Sequence, residues 1–443
     1  MLPERAALFY FALNMYFYKI IRRFLGCIAL FFACCSQSAA QDMSRVKATM
    51  DSLTSPRMHG RGYVNYGDRH AAAYISKEFK KLGLQQFNDT YFQFFTLDVN
   101  TFPDRVALQV NKKLLETGEE IIAHPASGAG ERKARVFFVD SALVAKQLSP
   151  GLLKAGFRKK AVVFDSPKTR KAAFEDKLFF QLLPTASAII TLQEKLTGSL
   201  APSQMPFVSL DVLETAWPAK AKKVRFAVDA EVQKNLISQN VIGYIEGKSE
   251  PDSVIIICAH YDHLGRMGRD DYFPGANDNA SGVSMMLELA NFYALAPNQP
   301  HYTMLFIAFS AEEAGLIGSD FYTQHPLLPL AKTKFLINLD LMGTGEEGMM
   351  AVNGRVFEKE FAMLEEINNT EKLLPQLKKR GEAANSDHYH FTSKGVRGFF
   401  FYTMGGTSAY HDVYDTPGQL SLAKFPQVFR LITMFVDKLA AQK

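Results

Sequence analysis

The apolar positions of this 443-residue chain change period twice along its length. Over residues 46–84 they recur at near-helical spacing, as Ala71, Ala72, Tyr74, Ile75, Phe79 and Leu82, while Lys77, Lys80 and Lys81 fall on the outer face. Gly60, Gly62 and Gly67 interrupt that pattern and predict a loop between two helices. From about 102 to 228 the texture becomes short β-rich runs, at 135–139, 161–164, 188–192, 207–210 and 224–228. Polar or Pro/Gly-containing stretches separate these runs, which predicts a small β-rich domain. From 240 onward strand and helix patterns alternate. Residues 241–245 and 253–259 read as strands, the second a continuous apolar run suited to a sheet covered on both faces. Residues 281–293 read as a helix with Val283, Met286, Leu287 and Ala290 on one face, capped by Asn279 or Ser281. Strands at 304–309, 335–338 and 398–402 follow. A helix over 427–439 closes the chain, with Pro426 in its first turn. The alternation predicts an α/β fold, a doubly wound and mostly parallel sheet with a smaller β-rich domain inserted into it. The segments expected are a leader over 1–40, the first part of the main domain over 41–100, the insert over 101–232 and the rest of the main domain over 233–443.

Composition changes this picture little. With 47% hydrophobic and 21% charged residues the chain is an ordinary globular protein. The formal net charge is +5, and the leader (Arg5, Lys19, Arg22 and Arg23 against Glu4) holds three of those charges. The near-neutral remainder offers no electrostatic reason to expect nucleic acid as a partner.

The leader itself reads as an export signal. Lys19, Arg22 and Arg23 flank an apolar run over 24–35, and Ser38-Ala39-Ala40 fits a signal-peptidase site. The run is about twelve residues, short of the roughly twenty that span a bilayer. No stable membrane span is therefore expected in the mature chain, although a membrane anchor stays open. Met15 offers a second start that would make the leader conventional. Cys34 after Phe31-Phe32-Ala33 resembles a lipoprotein box, so a lipid anchor also stays open, with a periplasmic or extracellular destination. Of the four cysteines, Cys27, Cys34 and Cys35 lie in the leader, and Cys258 alone remains in the mature chain. No intramolecular disulfide can form there, and Cys258 after four aliphatic residues reads as a buried, inert thiol.

The chemistry sits at the predicted strand ends. Open parallel sheets gather functional groups at the carboxyl ends of their strands, where His260, Asp278, Glu312-Glu313, Asp340 and His411 fall. Converging carboxylates and imidazoles suit hard or borderline divalent cations, and the set reads as a hydrolase site built around two zinc ions. His260 ends the apolar strand, and Asp262 two residues on is a candidate partner for its second ring nitrogen. Taken alone, that pair is a weak signal and reads more readily as a surface contact. Asp278, in Asn277-Asp278-Asn279 after a glycine turn, can bridge two cations or cap the following helix. Adjacent glutamates point apart, so one of Glu312 and Glu313 can ligate while the other removes a proton from water. Asp340 ends a strand. Tyr410, beside His411, can offer a phenolic hydrogen bond to a developing oxyanion. The remaining histidines, at 59, 70, 124, 263, 301, 325, 388 and 390, read as surface or hydrogen-bonded structural groups, with His388 in Ser386-Asp387-His388 the one of interest. The compact His-Glu-x-x-His zinc motif is absent from the sequence.

These motifs in their order carry a resemblance. Ala259-His260-Tyr261-Asp262, Pro274-Gly275-Ala276-Asn277-Asp278-Asn279-Ala280-Ser281-Gly282, Ala308-Phe309-Ser310-Ala311-Glu312-Glu313, Asn338-Leu339-Asp340 and Tyr410-His411 are similar to the co-catalytic di-zinc aminopeptidases, the bacterial secreted leucyl aminopeptidases and aminopeptidases S and Y. Ser386-Asp387-His388, Asp415-Thr416 and Met58-His59-Gly60-Arg61-Gly62 also resemble that family, which is matched over about 45–95 and 240–440. The middle segment resembles a protease-associated insert by placement and texture. The resemblance implies two zinc ions per chain: His260 and Asp340 on one, Glu313 and His411 on the other, and Asp278 bridging. It implies Glu312 as the general base, Asp262 orienting His260 and Tyr410 assisting the tetrahedral intermediate. It further implies an exported exopeptidase that acts on peptides with a free N-terminus. Related chemistry keeps alternatives open: a single-zinc glutaminyl cyclase, dipeptidase or carboxypeptidase specificity, or a non-catalytic binding module. Mixed carboxylate and imidazole sites also accept cobalt or manganese.

Overall fold

A computed structural model describes residues 41–146 and 155–441. The expected leader, its cleavage site and Cys34 lie outside the described residues. The strands of the first half are β1 (Phe92–Thr101), β2 (Val106–Val110), β3 (Lys113–Leu115), β4 (Ile121–Ala123), β5 (Gly130–Val139), β6 (Lys160–Phe164), β7 (Ala188–Gln193), β8 (Val208–Leu213) and β9 (Lys223–Val228). Those of the second half are β10 (Glu231–Ile245), β11 (Glu250–His260), β12 (Arg266–Met267), β13 (Asp271–Tyr272), β14 (Tyr302–Phe309), β15 (Thr333–Leu339), β16 (Met349–Val352), β17 (Leu377–Lys379) and β18 (Gly398–Thr403).

The main sheet runs β1-β10-β14-β11-β15-β18-β16-β17. Its four central strands, β14, β11, β15 and β18, are mutually parallel. The apolar run in β11 explains why. Side chains alternate across a strand, and here both sets are buried. Ile255, Ile257 and Ala259 join a core shared with helices Met43–Leu53, Gly67–Lys81, Gly282–Ala294, Glu358–Glu371 and Phe425–Ala440. Val254, Ile256 and Cys258 join another, closed by Tyr322 of helix Ile317–Gln324 and Phe391 of helix His388–Thr392. A sheet covered on both faces cannot alternate apolar with polar residues, so the sequence shows a solid run. Cys258 is fully buried and unpaired by disulfide, and its thiol donates to Asn338 Oδ1 at 3.3 Å. Among the described residues no helix is long and apolar enough to cross a membrane.

Between β1 and β10 the chain builds a second sheet, ordered β3-β2-β9-β5-β6-β7-β8-β4. The expected strand runs are all present, yet the segment is not simply β-rich. Helices Ser141–Val144, Pro167–Glu175 and Lys177–Leu182 pack on one face through Ala173 and Phe179. They are short, and their start signals are local: Ser166 accepts from Thr169 N–H, and Asp176 accepts from Leu178 and Phe179 N–H. Pieces of this length leave no sustained 3.6-residue period to read. The other face forms a core that takes in Leu264, Met267 and Phe273 from the loop after β11. From Met43 onward the two sheets belong to one unit.

Candidate metal centre

The carboxyl ends of β11, β14 and β15 deliver the site. His260 is the last residue of β11; Glu312 and Glu313 follow β14; Asp340 follows β15. Asp278 comes from the turn before helix Gly282–Ala294, and His411 from the loop after β18. In that turn Asn279 is the cap, its Oδ1 accepting from Gly282 N–H at 2.9 Å. Ser281 instead donates to the Asn277 carbonyl at 2.7 Å. Asp278 is thereby left with its carboxylate directed at the two histidines.

Distances within the cluster are short. His260 Nε2 lies 3.3 Å from Asp278 Oδ1 and 3.4 Å from Asp340 Oδ2. His411 Nε2 lies 3.1 Å from Asp278 Oδ2 and 3.2 Å from Glu313 Oε2. Asp278 therefore presents one oxygen to each imidazole. Glu312 stands further back, with Oε2 4.0 Å from His260 Nε2. All eight residues singled out from the sequence meet here, Tyr410 through its ring, which stacks on His411 at 4.0 Å and 13°.

Two observations test whether divalent ions fit. His260 Nδ1 faces the Asp262 backbone carbonyl at 3.2 Å, and His411 Nδ1 faces the Gly198 carbonyl at 3.0 Å. Donating there fixes the Nδ1–H form and turns an Nε2 lone pair toward carboxylate oxygens. Lone pairs in direct opposition need a cation or a proton between them. Moreover, His260 Nε2 and Asp340 Oδ1 are buried without a hydrogen-bond partner. The donor set fits a pair of borderline cations, His260, Asp278 and Asp340 facing one and His411, Asp278 and Glu313 the other.

Protonation preferences carry the same message. Burial works against charge on His411, but Glu313 and Asp278 outweigh it and raise the imidazole to about 11. Burial and Asp278 favour neutral Glu313, yet His411 and His263 hold it down at about 2. Burial, reinforced by Glu313, Asp387 and Asp340, pushes Glu312 well above the usual carboxylate range despite the pull of His260. So many buried carboxylates in one place require compensating positive charge.

The supporting groups add to the sequence reading in two respects. Asp262 was expected to orient His260, and it is its carbonyl that faces Nδ1, with carboxylate Oδ1 3.8 Å away. That carboxylate accepts from Glu312 N–H at 3.1 Å and Glu313 N–H at 3.3 Å, so Asp262 aligns the two glutamates. Second, His263 is no surface or incidental histidine. It is fully buried, and its Nδ1 lies 2.7 Å from Glu313 Oε1. Its ligand atom clusters with those of Asp278 and Glu313, as those of Glu312 and Asp340 cluster with His260. Because His263 Nδ1 is engaged by Glu313, while His411 Nε2 faces both Asp278 and Glu313, His411 is the better placed ligand. No periodicity distinguishes His263 from the other histidines; only folding brings it to Glu313, fifty positions on.

Asp415 accepts from Asn277 N–H at 2.8 Å and Asp278 N–H at 3.0 Å, which fixes the bridging turn. Arg61, completely buried, donates to the carbonyls of Leu53, Tyr261, Pro274, Gly275 and Asp278. His388 is also buried, but it lies against Phe400 with both ring nitrogens unpartnered and outside the cluster.

With this geometry in view, likeness to known proteins can be stated. Residues 240–436 match the model of peptidase family M28. Aminopeptidase YwaD of Bacillus subtilis is 25% identical over 407 residues, spanning 87% of this chain and 82% of that protein. The structure of BSAP, a zinc aminopeptidase from Bacillus subtilis, superposes with a TM-score of 0.67 at 22% identity, covering 89% of this chain and 94% of that one. A peptidase M28 precursor from Shewanella amazonensis gives 0.70 at 16% identity, over 91% and 95% of the two chains. The matched segment holds His260, Asp278, Glu312, Glu313, Asp340 and His411, so the part of the chain that carries the cluster is the part similar to peptidase family M28.

Proposed function

We propose that this chain is an exported exopeptidase that removes N-terminal residues from peptides at a two-zinc centre. That it is a zinc metallo-aminopeptidase is supported by the match of residues 240–436 to peptidase family M28 and by the full-length likeness to an aminopeptidase. The number of ions, the roles of single residues and the destination of the chain are our reading. The observation that carries it is Asp278, whose two oxygens face two different imidazoles, each with its far nitrogen turned to a backbone carbonyl. Support for export is the basic, apolar, small-residue order of residues 19–40.

When bound, the paired ions supply Lewis acidity at the scissile carbonyl and lower the pKa of the attacking water. His260, Asp278 and Asp340 would hold one, and His411, Asp278 and Glu313 the other. Glu312, set back from the imidazoles, takes the proton of the water at its carboxylate and returns it to the leaving amine. Asp262 keeps Glu312 in reach through the backbone N–H bond. Tyr410, half-exposed and with its ring stacked on His411, donates to the developing oxyanion. The crowded carboxylates favour a substrate that brings an ammonium group, as a free N-terminus does. The test is elemental analysis of the purified protein, together with hydrolysis of matched peptides with free and acetylated N-termini. Near two zinc ions per chain and cleavage of the free series alone are expected. One ion per chain, or equal cleavage of both series, overturns the reading.

A further inference from the structure

The loop that carries His411 has almost no structure of its own. Residues 404–416 lie outside helix and strand, and His411 itself sits at φ 53°, in the left-handed region. Asp415 ties its far end to the turn that carries Asp278, but what holds it at His411 itself comes from the second sheet. The segment that leaves β7 runs alongside this loop and pairs with it at the ligand. Gly198 N–H donates to the His411 carbonyl at 2.7 Å, and the Gly198 carbonyl faces His411 Nδ1 at 3.0 Å. Three residues earlier, Lys195 Nζ reaches the carbonyls of Ser408 (2.8 Å) and Tyr410 (3.2 Å) and Asp412 Oδ2 (3.0 Å). One ammonium thus ties together the residues on both sides of His411. The approach is close-packed: a Cβ at 198 would come 2.7 Å from Leu264 Cδ1 and 3.0 Å from the Phe273 ring, so those side chains would have to shift to admit one.

We propose that the second sheet is a working part of the metal centre: its 194–198 segment orients the ligand His411 through the Gly198 carbonyl and locks the ligand's loop through Lys195. This rests on the two-metal reading above. His260, Glu312, Glu313 and Asp340 are delivered by the main sheet, and Asp278 by a turn that Arg61 and Asp415 hold. Only His411 is oriented from the insert. Lys195 is accordingly a positioning residue for one of the two sites, and weakening its hold loosens that site selectively. Loss of an outer partner of a metal-binding imidazole typically costs about 10–100-fold in metal affinity.

The experiment is zinc titration of the full, metal-stripped protein in competition with a chromophoric chelator, for wild type, Lys195→Ala and Lys195→Arg. Lys195→Ala is expected to weaken one of two binding events about 10–100-fold while leaving the other unchanged, and Lys195→Arg to restore it. The Lys195 side chain is 46% exposed, so the metal-free unfolding midpoint should not move. Asp412→Asn, which weakens the hold on Lys195 and also disturbs the Tyr410 and Tyr414 N–H bonds to that carboxylate, is expected to weaken the same event. Unchanged affinities, equal weakening of both events or no rescue by arginine overturns the proposal. Wild type that binds a single zinc ion overturns the two-metal reading itself, whereas wild type with two tight sites and an indifferent Lys195→Ala overturns only this inference.

Discussion

Arg61 offers the most demanding test of how the site is held. Its guanidinium is fully buried and reaches five carbonyls: Leu53 at 3.0 Å, Tyr261, Pro274 and Gly275 at 2.7 Å each, and Asp278 at 3.2 Å. Those carbonyls belong to the end of the first described helix, the residue between His260 and Asp262, and the bridging turn. Burial lowers its pKa, but only to about 10 against the pull of Asp278 and Asp415, so the group stays charged at neutral pH. The informative perturbation is Arg61→Lys, which keeps the charge and changes the number and geometry of donors. An ammonium has three N–H groups, so at least two of the five carbonyls lose their partner. Each orphaned buried carbonyl costs about 1–3 kcal/mol, which gives roughly 2–6 kcal/mol in all. That is a large share of a typical 5–15 kcal/mol total, so the variant should fold, with a much lower urea midpoint in the metal-free state. Equilibrium unfolding followed by far-UV circular dichroism measures it. Because the Asp278 carbonyl is among the five, zinc uptake should weaken at both sites together. A stability loss below about 1 kcal/mol would refute the reasoning, since it would mean that relaxation or water replaces those bonds at no net cost.

Three further outcomes are expected. Glu312→Ala should keep its zinc yet lose about 10²–10⁴-fold in turnover; near-normal hydrolysis by the loaded variant would remove Glu312 from the mechanism. Asp278→Ala should lose the paired occupancy seen in wild type by elemental analysis, and a fully loaded, active variant would disprove bridging. His124 in the second sheet is held neutral, lowered to about 3 by burial and then by Arg170, and its Nδ1 accepts from Ala126 N–H. Its contribution is complete above the unfolded value of 6.5 and drains as pH falls from there toward 3, where the unfolded chain binds a proton that the folded one rejects. The loss should reach roughly 4 kcal/mol. His124→Asn should flatten the urea midpoint over that window, and an unaltered acid slope would exclude the histidine.

How far the sequence alone carries can be seen residue by residue. The strand from Val254 to His260 was legible because a sheet covered on both faces leaves a solid apolar run, and the clustered residues were legible because strand ends are where such sheets place functional groups. The paired Glu312 and Glu313 were legible as two carboxylates pointing apart, and they stand at different distances from the histidines, 4.0 Å and 3.2 Å. The short helices beside the second sheet escaped notice, since six to nine residues cannot establish a period. Asp262 was singled out, but which of its atoms meets His260 depends on a local backbone path that no spacing encodes. His263 looked like any isolated histidine until its neighbour fifty residues away was in place. Gly198 and Lys195 meet His411 and its loop across more than two hundred positions, and nothing in a single sequence marks that pairing.

Thr101, the last residue of β1, sits opposite Glu231, the first of β10. The whole second sheet therefore hangs from one root, entering and leaving the main body at adjacent points. In such an arrangement a gene could acquire or shed the intervening stretch with a few rejoined residues and no break in the main sheet, although its loss would release His411. An engineer could equally graft a different module at 101–231, provided the graft brought its own brace for His411.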